Sequence, residues 1–96
     1  MDAHDMAALC NRAATLNANL TARQLALMGS LATAPGQSVG DYAKALGFSA
    51  PVISRAVEGM REIGWATREQ DVNDRRKVKL YLSGDGKAAL RKILEG

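Results

Sequence analysis

The stretch Asn73-Asp74-Arg75-Arg76-Lys77-Val78-Lys79-Leu80-Tyr81-Leu82-Ser83-Gly84-Asp85-Gly86 carries three signals in order. It starts as a charged tip, where Asn73 and Asp74 favour a turn because their short side chains hydrogen-bond nearby backbone. It continues as an alternating run. Val78, Leu80 and Leu82 face one way and Lys77, Lys79 and Tyr81 the other, the period-two pattern of a half-buried strand. It stops at Ser83-Gly84-Asp85-Gly86, a strand breaker and helix start. A short strand with paired arginines at its hairpin tip suits a wing that reaches a nucleic-acid backbone or groove.

The preceding residues supply the rest of such a unit. Residues 64–69, with Trp65 or Ala66 toward the core, read as the outgoing strand. Residues 70–74 make the turn, and residues 75–82 return antiparallel. Before the hairpin lie two short helical patterns joined through Gly47 and Phe48, a helix-turn-helix signal. Ser38 caps the first, with Asp41 at its third position, and Val39, Tyr42, Ala43 and Leu46 face inward. Gly47 closes it as a left-handed cap. Ser49 caps the second, with Ala50 and Pro51 in the first turn, where proline is tolerated. Ile53, Ala56, Val57, Met60 and Ile63 form its buried stripe, and Gly64 ends it. Its outward face holds Ala50, Pro51, Ser54, Arg55, Glu58 and Arg61. Small residues there let the backbone approach a groove, and Ser54 and Arg55 can reach base edges or phosphates.

Further upstream, Thr21 and Gln24 form a Thr-x-x-Gln capping box. They open a helix with Leu25, Met28, Leu31 and Ala32 on one side, ended by Ala34, Pro35 and Gly36. Residues 1–18 read as a first helix, with Met6, Leu9, Cys10, Ala13, Leu16 and Leu20 on one face. Residues 85–95 read as the last, with Ala88, Ala89, Leu90, Ile93 and Leu94 apolar and Lys87, Arg91 and Lys92 in solvent. The expected architecture is therefore mainly α with a small β-hairpin, a winged helix-turn-helix in the order α-α-α-α-β-β-α. Ninety-six residues allow one core, so residues 1–96 are expected to be a single domain.

Composition narrows the function classes. The chain is 47% hydrophobic and 24% charged, as ordinary globular proteins are. No apolar run approaches a membrane span, and the N-terminus lacks the pattern of a secretory signal. One cysteine excludes an internal disulfide, and a reducing cytoplasm is the expected compartment. Residues 1–50 carry three basic and three acidic side chains, so the whole net charge of +3 lies in residues 51–96. Charge concentrated there is the footprint expected of a DNA binder, and on charge alone equally that of a solvated surface. No phosphate loop, metal-ligand spacing or nucleophile constellation is present, so neither an enzyme nor a cofactor is expected. Cys10, among apolar neighbours, reads as a buried structural residue.

The ordered set resembles the MarR family of winged helix-turn-helix transcription regulators. That family's wing runs Asp-x-Arg, an apolar strand, then Leu-Thr, two residues and Gly. Asp74, Arg76, Leu82 and Gly86 fall on the pattern, with Ser83 in place of Thr. The run from Ser49 through Ile53, Ser54 and Arg55 is similar to the family's recognition helix, and Met60 through Gly64 and Trp65 to its helix exit. The resemblance spans residues 21–86. It implies sequence-specific double-stranded DNA binding, with helix 49–63 in the major groove and wing 70–77 in the minor groove. Arg76 is expected to enter a narrow minor groove, its guanidinium held by the paired hydrogen bond it donates to Asp74. Arg75, Lys77 and Lys79 are expected on phosphates, and Arg55 on guanine or phosphate. Ser38 and Ser49 can hold phosphates at helix N-termini, and Asn73 shapes the tip.

Typical family members carry longer terminal helices, which build the dimer and a ligand cleft. This chain reads as a short form without them. A homodimer through residues 6–20 and 88–94 is expected, and a small-molecule effector is not. The competing reading is a winged helix used for protein–protein contact without DNA.

Overall fold

A computed structural model describes residues 2–17 and 19–95 of the chain. Helix α1 spans Ala3–Leu16. Asp2 starts it by a capping box in which its carboxylate accepts the Asp5 N–H at 2.8 Å. Helix α2, Ala22–Thr33, opens on the Thr21–Gln24 box. Helix α3, Val39–Leu46, opens on Ser38 and Asp41 and ends at Gly47, whose φ of 74° is the left-handed conformation that favours glycine. Helix α4, Ala50–Glu62, is capped by Ser49 with Pro51 in its first turn. Strands β1, Ala66–Gln70, and β2, Val78–Leu82, pair antiparallel with Ala66 opposite Leu82 and Gln70 opposite Val78. Helix α5, Gly84–Glu95, closes the order α-α-α-α-β-β-α.

The core forms because each element offers one apolar face. Leu27, Met28 and Leu31 of α2 meet Tyr42 and Ala43 of α3 and Ile53, Val57 and Met60 of α4. Ala56 of α4, Ala66 of β1, Leu80 and Leu82 of β2, Ala89 and Ile93 of α5, and Ala13 of α1 complete the cluster. Each fully buried large aliphatic side chain contributes about 1.5–3 kcal/mol relative to exposure. Helix α2 lies at the centre, touching α3, α4, α5 and β2.

The hairpin is pinned from a direction that alternation alone does not reveal. The Gly36 N–H donates to the Leu80 carbonyl at 2.9 Å, and the Leu80 N–H donates to the Gln37 carbonyl at 3.0 Å. The loop before α3 thus acts as a third strand edge against β2. The Tyr42 hydroxyl holds that loop, donating to the Ala34 carbonyl at 2.6 Å and accepting the Gln37 N–H at 3.2 Å. Burial of the phenol raises its pKa.

Several sequence expectations need correction. The first helix is described only over Ala3–Leu16, because Asp2 caps it and Asn17 ends it; residues 1 and 18 lie outside the described residues. Cys10 is exposed, not buried. Only Ala13 of the α1 stripe is buried, since α1 contacts α5 along one edge and leaves Met6 and Leu16 in solvent. Ile63 is 41% exposed, because it follows the last turn of α4 and caps it. Ala32 and Leu94 are also exposed, whereas Leu27 lies fully inside. The strands are shorter than expected, so Arg75, Arg76 and Lys77 belong to the connecting loop. Helix α5 starts one residue early, at Gly84, because Ser83 caps it.

Candidate nucleic-acid interface

Helix α4 presents Ala50, Pro51, Ser54 and Arg55 to solvent, as its inward stripe requires. Ser49 at its start spends its hydroxyl on the Val52 N–H at 3.4 Å. Arg61, one and a half turns beyond Arg55, is paired with Glu58 at 2.9 Å. Its charge is therefore partly satisfied within the helix. Arg55 borders a small cleft of about 180 Å³ between the first turn of α2 and α4, facing Thr21, Arg23 and Gln24. Arg23 is thus brought toward α4 and Arg55 from thirty-two positions away in sequence, a neighbour that local pattern cannot reveal.

The loop of residues 71–77 joins the strands and is locked from within. The Asp71 N–H donates to the Lys77 carbonyl at 2.9 Å and closes it, and the Lys77 N–H donates to the Asp74 carbonyl at 3.0 Å. The Gln70 side-chain amide donates to the Arg75 carbonyl at 2.7 Å. Asp71 Oδ1 accepts the N–H groups of Asn73 at 2.8 Å and Asp74 at 3.2 Å. Those two bonds hold the Asp71 carboxyl below the usual aspartate range, with Lys79 and Lys77 adding to the effect. Asp71 lies in the turn expected over residues 70–74, and the Asx turn it makes there depends on the loop's own conformation.

Arg76 lies where the wing pattern put it, with a side chain 92% exposed. Asp74 holds it, although differently from the expected paired contact. A single oxygen, Oδ1, accepts both the Arg76 backbone N–H at 3.0 Å and Nε–H at 3.2 Å. The second carboxylate oxygen does not join, so the fork is not bidentate. An ion pair this exposed adds little stability; its effect is on direction. Arg75 and Asn73 are exposed beside it.

Ser38 and Lys77, assigned separately in sequence, share one cleft of about 360 Å³ with Asp41, Asp71 and Lys79. There the base of the wing meets the first turn of α3. Asp41 already fills the helix end: its carboxylate accepts the Ser38 N–H at 3.2 Å, the main cause of its lowered pKa. Among the described residues, no three His, Cys, Asp or Glu side chains converge as a metal site. Among the described residues, no helix is long and apolar enough to cross a membrane.

A helix-turn-helix from α3 and α4, followed directly by an antiparallel hairpin with a charged loop, defines a winged helix-turn-helix protein. The MarR family profile matches residues 18–77, and the chain belongs to the MarR family. No curated protein matches it. Among solved structures, Rv1404 from Mycobacterium tuberculosis is similar at 20% identity and a TM-score of 0.87, over 94% of this chain and 61% of that one. A mutant of MarR from E. coli complexed with operator DNA is similar at 22% identity and a TM-score of 0.82, over 96% and 64%. FabT from Streptococcus pneumoniae in complex with DNA follows at 19% identity and a TM-score of 0.72, over 76% and 51%. The chain thus spans between half and two thirds of the length of these structures.

Proposed function

We propose that the chain is a transcription regulator that binds double-stranded DNA sequence-specifically, with α4 in the major groove and the wing loop in the minor groove. The observation that carries this reading is the wing tip. Arg76 is held outward by Asp74 on a loop that its own hydrogen bonds hold closed. An arginine so presented suits the negative potential of a narrow minor groove. Arg55 and Ser54 on the open face of α4 read base edges, while Arg75, Lys77 and Lys79 contact phosphates. The E. coli MarR and FabT structures, which contain DNA, support the assignment by fold.

The regulator acts as a homodimer through the apolar faces of residues 6–20 and 88–94. Met6, Leu16 and Leu94 are exposed in the single chain. They border the apolar sides of α1 and α5, which would give a two-fold protein for a palindromic site.

Selection from a pool of random duplexes tests the reading. The wild type should enrich one two-fold site, and Arg55→Ala should lose preference at one base pair per half-site, worth about 1–3 kcal/mol of discrimination. A pool that stays random after repeated rounds would rule out sequence-specific binding by this chain.

A further inference from the structure

We propose that Asp71 is the positioning residue of the wing: it fixes the backbone that carries Asp74, and Asp74 then sets the direction in which Arg76 meets DNA. This rests on the DNA-binding reading above. Charge alone gives Asp71 the opposite role. A carboxylate between Lys77 and Lys79 repels phosphate and occupies a lysine, its Oδ2 lying 3.8 Å from Lys79 Nζ. Its removal on that ground should tighten binding.

The hydrogen bonds argue for the positioning role. Asp71 Oδ1 accepts the Asn73 and Asp74 N–H groups, an Asx turn that places the Asp74 backbone. Asp74 Oδ1 then accepts two donors of Arg76, backbone and Nε. The chain of contacts runs Asp71, Asp74, Arg76 without a gap. The terminal guanidinium nitrogens at its end make no protein hydrogen bond among the described residues. A loop ordered beforehand spares binding the cost of ordering a long, exposed side chain. The acid at position 71 therefore weakens binding by its charge and strengthens it by its acceptor oxygen, and substitution can separate the two.

The test is fluorescence anisotropy of the full chain on a mixed-sequence duplex carrying an A-tract, at one fixed salt concentration. Asp71→Ala should weaken binding about five- to tenfold although it removes a negative charge. Asp71→Asn removes the same charge but keeps an acceptor oxygen, and should bind at least as tightly as wild type. Asp71→Ser accepts the same N–H groups more weakly and should fall between. In an Arg76→Ala background, Asp71→Ala should cost less than about twofold, because the residue being positioned is gone. Far-UV circular dichroism confirms that each variant is folded. Tighter binding by Asp71→Ala, equal losses for Asn and Ala, or full additivity with Arg76→Ala would overturn the proposal. Those results leave the wild type bound to DNA, whereas an absence of wild-type binding would overturn the DNA reading itself.

Discussion

Gly86→Ala should be among the most damaging single-methyl additions in this protein. Gly86 sits in the first turn of α5, where that helix crosses the entry to β1. A Cβ there would overlap the Trp65 carbonyl oxygen, and would lie 2.9 Å from the Trp65 carbonyl carbon and 3.1 Å from Leu82 Cδ2. The carbonyl cannot swing aside freely. It accepts the Ser83 N–H at 3.0 Å, while the Trp65 N–H is held by the Met60 carbonyl at 2.8 Å. Helix α5 must therefore move away, which loosens Ala89 and Ile93 against the core. Overpacking against side chains costs about 1–3 kcal/mol, and a backbone obstacle puts this site at the upper end. Higher helix propensity returns less than about 1 kcal/mol. A net loss of about 2–3 kcal/mol should lower the Tm by roughly 10–20 °C for a chain of this size. Gly29→Ala is the matched control: it lies within α2 with nothing inside 4 Å of its added Cβ. It should gain about 0.5–1 kcal/mol. Urea unfolding of both variants checks the pair. A Gly86→Ala protein within about 0.5 kcal/mol of wild type would refute the packing argument.

Tyr42→Phe keeps the buried ring but strands the Ala34 carbonyl and the Gln37 N–H. It should cost about 1–2 kcal/mol by chemical denaturation, with hydrogen exchange rising first at Gly36 and Leu80. Ser83→Ala removes the acceptor for the Gly86 N–H at 3.0 Å and the donor to the Gly64 carbonyl. A loss of about 1 kcal/mol is expected, with Ser83→Thr restoring it. The Asp71 pKa is lowered in the folded chain, so its support of the wing is complete above the ordinary aspartate range and is lost as pH falls through the lower folded value. The amide signals of Asn73 and Asp74 should therefore stay constant through neutral pH and move only in acid. Movement near pH 6 would contradict the assignment.

Much of the fold was legible because its signals are local. Each of Thr21, Ser38 and Ser49 caps the helix expected of it, and Val78, Leu80 and Leu82 keep their alternation. The winged order and the exposure of Arg76 followed from the same residues. What escaped depends on approach between distant segments. The pairing of Gln37 with Leu80 and the Tyr42 hydroxyl contacts need tertiary structure before they exist. The exposure of Cys10 escaped for a related reason: an apolar stripe says that a helix has a face, not that this chain covers it. Asp71 was placed in the turn, but the two backbone N–H groups its side chain accepts became visible only with the loop conformation.

Binding of the purified protein to a mixed-sequence duplex across a salt series, with Arg76→Ala beside it, tests DNA contact by the wing most directly. On this reading Arg75, Lys77 and Lys79 give about three phosphate contacts per protomer, hence a slope of log K against log salt of about −3 per protomer. The expected result is that steep dependence, with binding weakened at least about tenfold by Arg76→Ala. No binding by the folded wild type at low salt, at concentrations that allow a dimer to form, would contradict it and turn attention to a protein partner for the α4 face.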